Sequence, residues 1–351
     1  MYITEAIGKL SRKEHLTCCE AGQAAADIMN GRASNASIAG LLMGLKLKGE
    51  TAPELEGFVR VMREKATPVQ CGFSNMVDSC GTGGDGSDTF NVSTVAGIVA
   101  AGAGCRVAKH GNRSVSSRCG SADVLQELGV ALDIGAAGMS QSIKESNFGF
   151  LYAPRLHSAM KHAMDARRDL AVRTIFNMAG PVTNPAGVSR QVIGVYSKEI
   201  APVIAETVRK LGADHVMVVH GEDGLDELSV SAPTYILELK AGNMEKRTIR
   251  PEDAGLRQHN AEGLKGGNSI ENAGIVRSIL QGETGARRDF VLINAGAVIY
   301  VSGLADTLRE GVGMAARSID TGSAMDVLDT LVHVTQRESE KEKAEAVHVN
   351  T

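Results

Sequence analysis

The sequence predicts an α/β protein with a small all-helical N-terminal domain and a large α/β domain whose largely parallel central sheet is covered by helices. Three observations carry that prediction. Up to about residue 65 the apolar residues recur only at helical spacing. From Met76 onward, short β-branched runs alternate with helical patterns. Glycine supplies 40 of 351 residues, above the usual share, and the excess falls in loops rather than in low-complexity tracts.

The helical part, residues 1–70, should hold about four helices. Ile38, Leu41, Leu42 and Leu45 form one apolar stripe, stopped near Gly49. Thr51-Ala52-Pro53-Glu54 has the form of a capping box with an early-turn proline, and Leu55, Phe58, Val59 and Met62 continue it at helical spacing. Residues 66–75, with Pro68, Gly72 and Ser74, have no period and read as a connector into the α/β part, residues 71–351. Candidate strands are 76–80, 105–108, 148–152, 191–196, 215–220 and 290–293. Residues 235–240 and 246–250, joined across Ala241-Gly242-Asn243, read as an antiparallel hairpin. The charged run 336–345 reads as a solvated helix end or tail.

A formal net charge of −4 argues against a nucleic-acid or membrane-surface partner, since both need a basic face. The six cysteines, Cys18, Cys19, Cys71, Cys80, Cys105 and Cys119, show no zinc spacing and read as reduced small hydrophobes. Glu5, Lys9, Arg12, Lys13 and Glu14 interrupt the first residues and no long apolar run follows, so a cytoplasmic location is expected.

Ligands of an open α/β sheet bind beyond the carboxyl ends of its strands, so the loops that follow the strands are the ones to read. In the first, Gly81, Gly83, Gly84 and Gly86 let backbone N–H groups approach an anion, and Asn91, Ser93 and Thr94 add donors at a helix start. The plain alternative is a turn. The carboxylates of the same loop, Asp85 among them, would repel a bare phosphate, which implies a cation between them. The second loop carries Lys109, His110, Asn112, Arg113 and Arg118 with Ser114, Ser116, Ser117 and Ser121, a density of cations and hydroxyls that suits a polyanion. Arg113 and Arg118 are equally readable as partners of carboxylates such as Asp123, and His110 as a structural histidine. The third loop brings Asp223, Asp226 and Glu227 together; hard oxygen donors without His or Cys favour Mg²⁺, the alternative being an acidic surface turn. A fourth segment from Arg167 pairs cations with Phe176, Met178, Gly180, Pro181 and Pro185, an apolar wall for a flat anion or simply two turns.

GTGGDG with NVST, KHGNRSVSS with GSADVL, RTIFNMAGPVTNPA and VVHGEDGLDE, in this order, resemble the anthranilate phosphoribosyltransferase family, and the resemblance spans nearly the whole chain. It implies transfer of a 5-phosphoribosyl group from phosphoribosyl pyrophosphate to the amino group of anthranilate, with release of pyrophosphate and a requirement for Mg²⁺, in tryptophan biosynthesis. It also implies a helical domain that takes back helices from about 165–185 and a homodimer joined through the helical domains. Carried over residue by residue, Gly81, Gly84, Asp85, Thr89, Asn91, Ser93, Thr94, Lys109 and Ser121 should hold the donor, and Ser93, Asp226 and Glu227 the magnesium. His110, Asn112, Arg167, Gly180 and Pro181 should face anthranilate, with Lys109, Asp85 and Arg167 nearest the chemistry. The sequence departs from the family pattern at Cys119, at Ala171, where glycine is usual, and at Ala179-Gly180-Pro181-Val182. A nucleoside phosphorylase of related fold would not need the Asp226-Glu227 pair, and a nucleic-acid-binding relative would lose it along with the glycine loop.

Overall fold

The computed structural model describes residues 1–113 and 119–349. Four helices open the chain, α1 (Tyr2–Leu10), α2 (Cys18–Met29), α3 (Asn35–Lys48) and α4 (Ala52–Lys65). Their ends follow local chemistry. Thr17 and Glu20 form a capping box at α2, and Gly49 at φ +91° stops α3. Glu54 is wholly buried at the start of α4, where its carboxylate accepts from Thr51 N, Leu16 N and Lys48 Nζ. A buried acid satisfied by these groups and by Thr51 Oγ1 ties the α1–α2 and α3–α4 connections together.

The α/β part follows as β1 (Met76–Gly81), α5 (Val92–Gly102), β2 (Arg106–Gly111), α6 (Ser121–Glu127), α7 (Ala136–Ser146), β3 (Phe148–Tyr152) and α8 (Ala153–Leu156). Next come α9 (Lys161–Leu170), α10 (Ile175–Ala179), β4 (Arg190–Gly194), α11 (Ala201–Lys210), β5 (His215–Gly221), β6 (Thr234–Lys240) and β7 (Asn243–Ile249). The chain closes with α12 (Ser269–Leu280), α13 (Ala286–Ser302), α14 (Leu308–Asp320) and α15 (Ser323–Val349). The seven strands form one sheet in the order β3-β2-β1-β4-β5-β6-β7. β1 to β5 are parallel and β6 and β7 antiparallel. The hairpin is tighter than the sequence suggests. Asn243 already pairs with Lys240, so only Ala241 (φ +50°) and Gly242 (φ +81°) turn the chain, as a two-residue hairpin loop requires.

One expected element needs correction. The run 290–293 is not a strand but lies within α13, where Phe290 to Val301 are all buried. A helix apolar on every side carries no amphipathic period, which hid it. The charged run 336–345 is the helix end that the sequence suggests, and most of its residues are exposed. It lies in α15 and ties the C-terminal helix to the neighbourhood of α7, with Gly135 N donating to Glu342 (2.6 Å) and Arg337 pairing with Glu145 (2.5 Å).

One sheet face packs on α5 and α13, and α12, α14 and α15 complete the same core. On the other, β4 to β6 share a core with α11, α10, α9 and the four N-terminal helices. α9 lies on α3 and α2, and α10 on α4, so residues 161–179 are built into the helical layer. Arg63 of α4 reaches Val182 O at 3.0 Å. Among the described residues, no helix is long and apolar enough to cross a membrane.

Candidate active site

From β1 the chain moves outward to β2 and β3, then returns to the other side of β1 as β4. The strand order therefore reverses between β1 and β4, and the loops leaving β1, β2, β4 and β5 surround that crevice. The β1 loop holds Gly83, Gly84 and Gly86 at φ +67°, +76° and +75°, conformations that turn successive N–H groups outward. It leads into α5, whose N-cap Asn91 does not cap the helix with its side chain. The Asn91 amide instead donates to Cys119 O (3.0 Å) and accepts from Asn272 Nδ2 (3.1 Å), joining the β1 loop to the segment before α6 and to α12.

The β5 loop folds against this one. Asp226 Oδ2 accepts from Gly83 N at 2.8 Å, and Asp226 N points to Asp85 Oδ2 at 3.4 Å. Glycines permit the approach. A Cβ on Gly81 would stand 2.6 Å from Asp226 Oδ2, and one on Gly194 only 1.6 Å from the Asp226 carbonyl oxygen. Burial, then the neighbouring Asp85, pushes the Asp226 carboxyl up to about 7. Burial and Asp226 push Glu227 well above the usual carboxyl range, against a hydrogen bond from Ser93. Carboxylates crowded in this way favour a cation. Among the described residues no three His, Cys, Asp or Glu side chains converge as a complete metal cage. Mg²⁺ takes one or two carboxylates and fills its shell with water and phosphate oxygens, and the Asp226-Glu227 pair can supply those carboxylates. Asp223 belongs elsewhere: its carboxylate is taken by the Ser229 and Ser231 hydroxyls.

β2 extends to Gly111, so Lys109 and His110 lie on the strand rather than in the loop the sequence implied. Alternation then separates them. Lys109, wholly buried, donates to the Ser79 carbonyl and to Ser93 Oγ (3.2 Å), on the α5 side. His110 faces the other way, its ring 5.1 Å from that of His157. Burial lowers His110 to about 3, with His157 adding to the effect, and lowers His157 to about 4, so both are neutral at pH 7. Among the described residues, Nε2 of each is buried without a partner. Beneath them Asp78, pushed up to about 6 by burial, accepts from His110 N (3.1 Å) and Asn184 Nδ2 (2.8 Å).

Arg167 lies in the last turn of α9 with its guanidinium 5.3 Å from the Phe176 ring centre, and burial lowers its pKa. Gly180 and Pro181 lie in the turn after α10, where the Gly180 backbone hydrogen-bonds His110. Thr94 Oγ1 is buried and has no hydrogen-bond partner among the described residues. Thr89 bridges to Lys265, Ser121 starts α6, and Asn112 is exposed at the rim. Arg113 follows the plainer reading, paired with Asp123 (2.7 Å) and Gln126 (2.6 Å). Ser114, Ser116, Ser117 and Arg118 lie outside the described residues. Sequence reasoning missed His157, Asp78 and Asn184. His157 stands alone in the sequence, and only its place just beyond β3 could have drawn attention to it.

A family model described as the α/β domain of a glycosyl transferase family matches residues 74–325, and its helical bundle companion matches residues 4–66. An anthranilate phosphoribosyltransferase from Anaeromyxobacter dehalogenans (strain 2CP-1 / ATCC BAA-258) is 49% identical over 333 residues, covering 95% of this chain and 98% of that sequence. The chain belongs to the anthranilate phosphoribosyltransferase family. It is accordingly an enzyme of the glycosyltransferase class. The crystal structure of the Thermus thermophilus anthranilate phosphoribosyltransferase superposes with a TM-score of 0.89 at 41% identity, covering 94% of this chain and 99% of that one. The Saccharomyces cerevisiae enzyme, solved in complex with phosphoribosyl pyrophosphate and Mg, gives 0.88 at 26% identity, with 95% and 98% covered. Against the family pattern, Ala171 adopts φ +50°, the left-handed conformation for which glycine is suited.

Proposed function

We propose that this chain transfers the 5-phosphoribosyl group of phosphoribosyl pyrophosphate to the amino group of anthranilate, releasing pyrophosphate, as its family does in tryptophan biosynthesis. The observation that carries the division of labour is the pair on β2, which sets an ammonium on one side and a neutral imidazole on the other. On the ammonium side, the β1 loop at Gly81 and Gly84, with Asp85, Thr89, Asn91, Ser93, Thr94, Lys109 and Ser121, holds the donor. Asp226 and Glu227, with Ser93, hold Mg²⁺, which when bound offsets the charge of the diphosphate. On the imidazole side, His110, Asn112, Gly180 and Pro181 form the acceptor wall, and Arg167 meets the anthranilate carboxylate.

An aromatic amine is neutral at pH 7 and the anomeric carbon already carries its leaving group, so positioning does most of the work. Lys109 neutralises the departing pyrophosphate, and Arg167 holds the amine in line with the C1–O bond that breaks. The surroundings of Arg167 favour a flat anion, because its desolvated guanidinium lies by Phe176. The helical domain, residues 1–70 with the helices near 165–185, and the α/β domain, residues 71–351, act as two lobes about this crevice. The protein works in the cytoplasm as a homodimer joined through the helical domains.

The test is the loss of anthranilate fluorescence on mixing the protein with phosphoribosyl pyrophosphate and Mg²⁺. A decay abolished by EDTA supports donor, acceptor and metal together. No decay in folded protein that still binds the donor would send the search to another acceptor.

A further inference from the structure

Arg173 lies between two of the loops just described and has no role in them. It stands in the connector 171–174 between α9 and α10, on the acceptor-side segment. Its guanidinium covers the Tyr196 ring at 4.2 Å from the centroid, just past the carboxyl end of β4. It also lies against the glycine loop. A Cβ on Gly84 would stand 3.2 Å from Arg173 Nε and 3.3 Å from Nη2. Tyr196 is itself fixed, its N–H donating to Thr82 Oγ1 (3.1 Å) in the same β1 loop.

Among the described residues no carboxylate pairs with Arg173, whereas Arg113 is committed to Asp123. An arginine laid flat on an aromatic ring is pre-organised, and its N–H fork suits phosphate oxygens better than a lysine would. The charge balance points the same way. Asp85, Asp226 and Glu227 crowd one side of the loop, while Lys109 is the buried cation that faces them. A departing diphosphate adds several negative charges.

We propose that Arg173 contacts the diphosphate of the donor from the acceptor side of the crevice, so that filling the donor site draws the α9–α10 connector, and Arg167 with it, into place. This rests on the donor-site reading given above. Calorimetric titration of the whole protein with pyrophosphate and Mg²⁺, with ribose 5-phosphate, and with phosphoribosyl pyrophosphate tests it. Arg173→Gln should weaken both diphosphate ligands about 10- to 100-fold, the worth of one charged hydrogen bond, and leave ribose 5-phosphate unchanged. Arg173→Lys should recover part of the loss, and the thermal midpoint should hold. Unchanged pyrophosphate affinity, equal loss of all three ligands, or an effect confined to the KM for anthranilate would overturn the proposal while leaving the donor site standing. Failure of the unaltered protein to bind phosphoribosyl pyrophosphate would remove the donor site and the proposal with it.

Discussion

Lys109 and His110 are consecutive residues on opposite faces of β2, one reaching Ser93 Oγ at 3.2 Å and the other with its ring 5.1 Å from that of His157. Their substitutions should therefore fail differently. On the roles proposed above, Lys109→Gln removes the ammonium assigned to the leaving group and should lower kcat about 10²- to 10³-fold. His110→Ala should raise the KM for anthranilate and leave that for phosphoribosyl pyrophosphate unchanged. Steady-state kinetics with each substrate varied in turn separates the two; a common effect on both KM values would mean that the strand does not divide the site.

Much of this site is legible in the sequence because it is built from loops that directly follow strands. The glycine run after β1 and the Asp226-Glu227 pair after β5 announce themselves by residue type alone. Where side chains point is less legible. Ending β2 at Ala108 placed Lys109 and His110 together in one loop, whereas three more strand residues send them to different faces. Asp223 and Asp226 look alike in sequence, yet Ser229 and Ser231 take the first. His157 and Asn184 enter through tertiary packing, from connectors with no local signature.

The crowding at Asp226 and Glu227 predicts a conflict between stability and activity. Asp226 is buried and Glu227 half-buried, each beside a like charge, which disfavours their ionised forms. Asp226→Asn should lower Mg²⁺-dependent turnover at least ~10²-fold. In EDTA at pH 8, its thermal midpoint should equal or exceed that of the unaltered protein. A marked fall would show that the carboxylate also has a structural role.

Gly194 tests how closely the β5 loop is held. An added methyl would lie 1.6 Å from the Asp226 carbonyl oxygen, backbone that has little room to move. Gly194→Ala should cost stability at the upper end of the ~1–3 kcal/mol typical of overpacking. Because the displaced residue is Asp226, the Mg²⁺ concentration giving half-maximal activity should rise as well. Urea denaturation and a Mg²⁺ titration of activity check the two effects.

The His110–His157 pair gives stability a defined pH dependence. Both groups have folded pKa values lowered by burial, to about 3 and about 4, whereas an unfolded histidine titrates near ~6.5. Below ~6.5 the unfolded chain binds protons that the folded chain refuses, so the stabilising contribution is complete above ~6.5 and is lost as pH falls towards 4 and 3. His157→Gln should remove up to one proton from that slope, about 1.4 kcal/mol per pH unit. Denaturation midpoints between pH 4 and 7 give the slope directly, and an unchanged slope would mean that His157 is protonated in the fold.

Ala171 offers the reverse case, a place where the family's usual residue should improve this chain. It caps α9 in the left-handed conformation, φ +50° and ψ +28°, with its N–H on Arg167 O at 3.2 Å. An L-residue with a Cβ is disfavoured there by roughly 1–2 kcal/mol, while glycine gives back about 0.5–1 kcal/mol through the freer unfolded chain. Ala171→Gly should therefore stabilise by about 0.5–1 kcal/mol, a rise of about 1–3 °C in Tm for a chain of this size. The turn it relaxes is the one that ends the helix carrying Arg167, so the KM for anthranilate reads whether the strain has a use. Equal KM values with a higher Tm would make Ala171 a tolerated cost; a higher KM would mean that the stiffer connector helps hold Arg167 against Phe176.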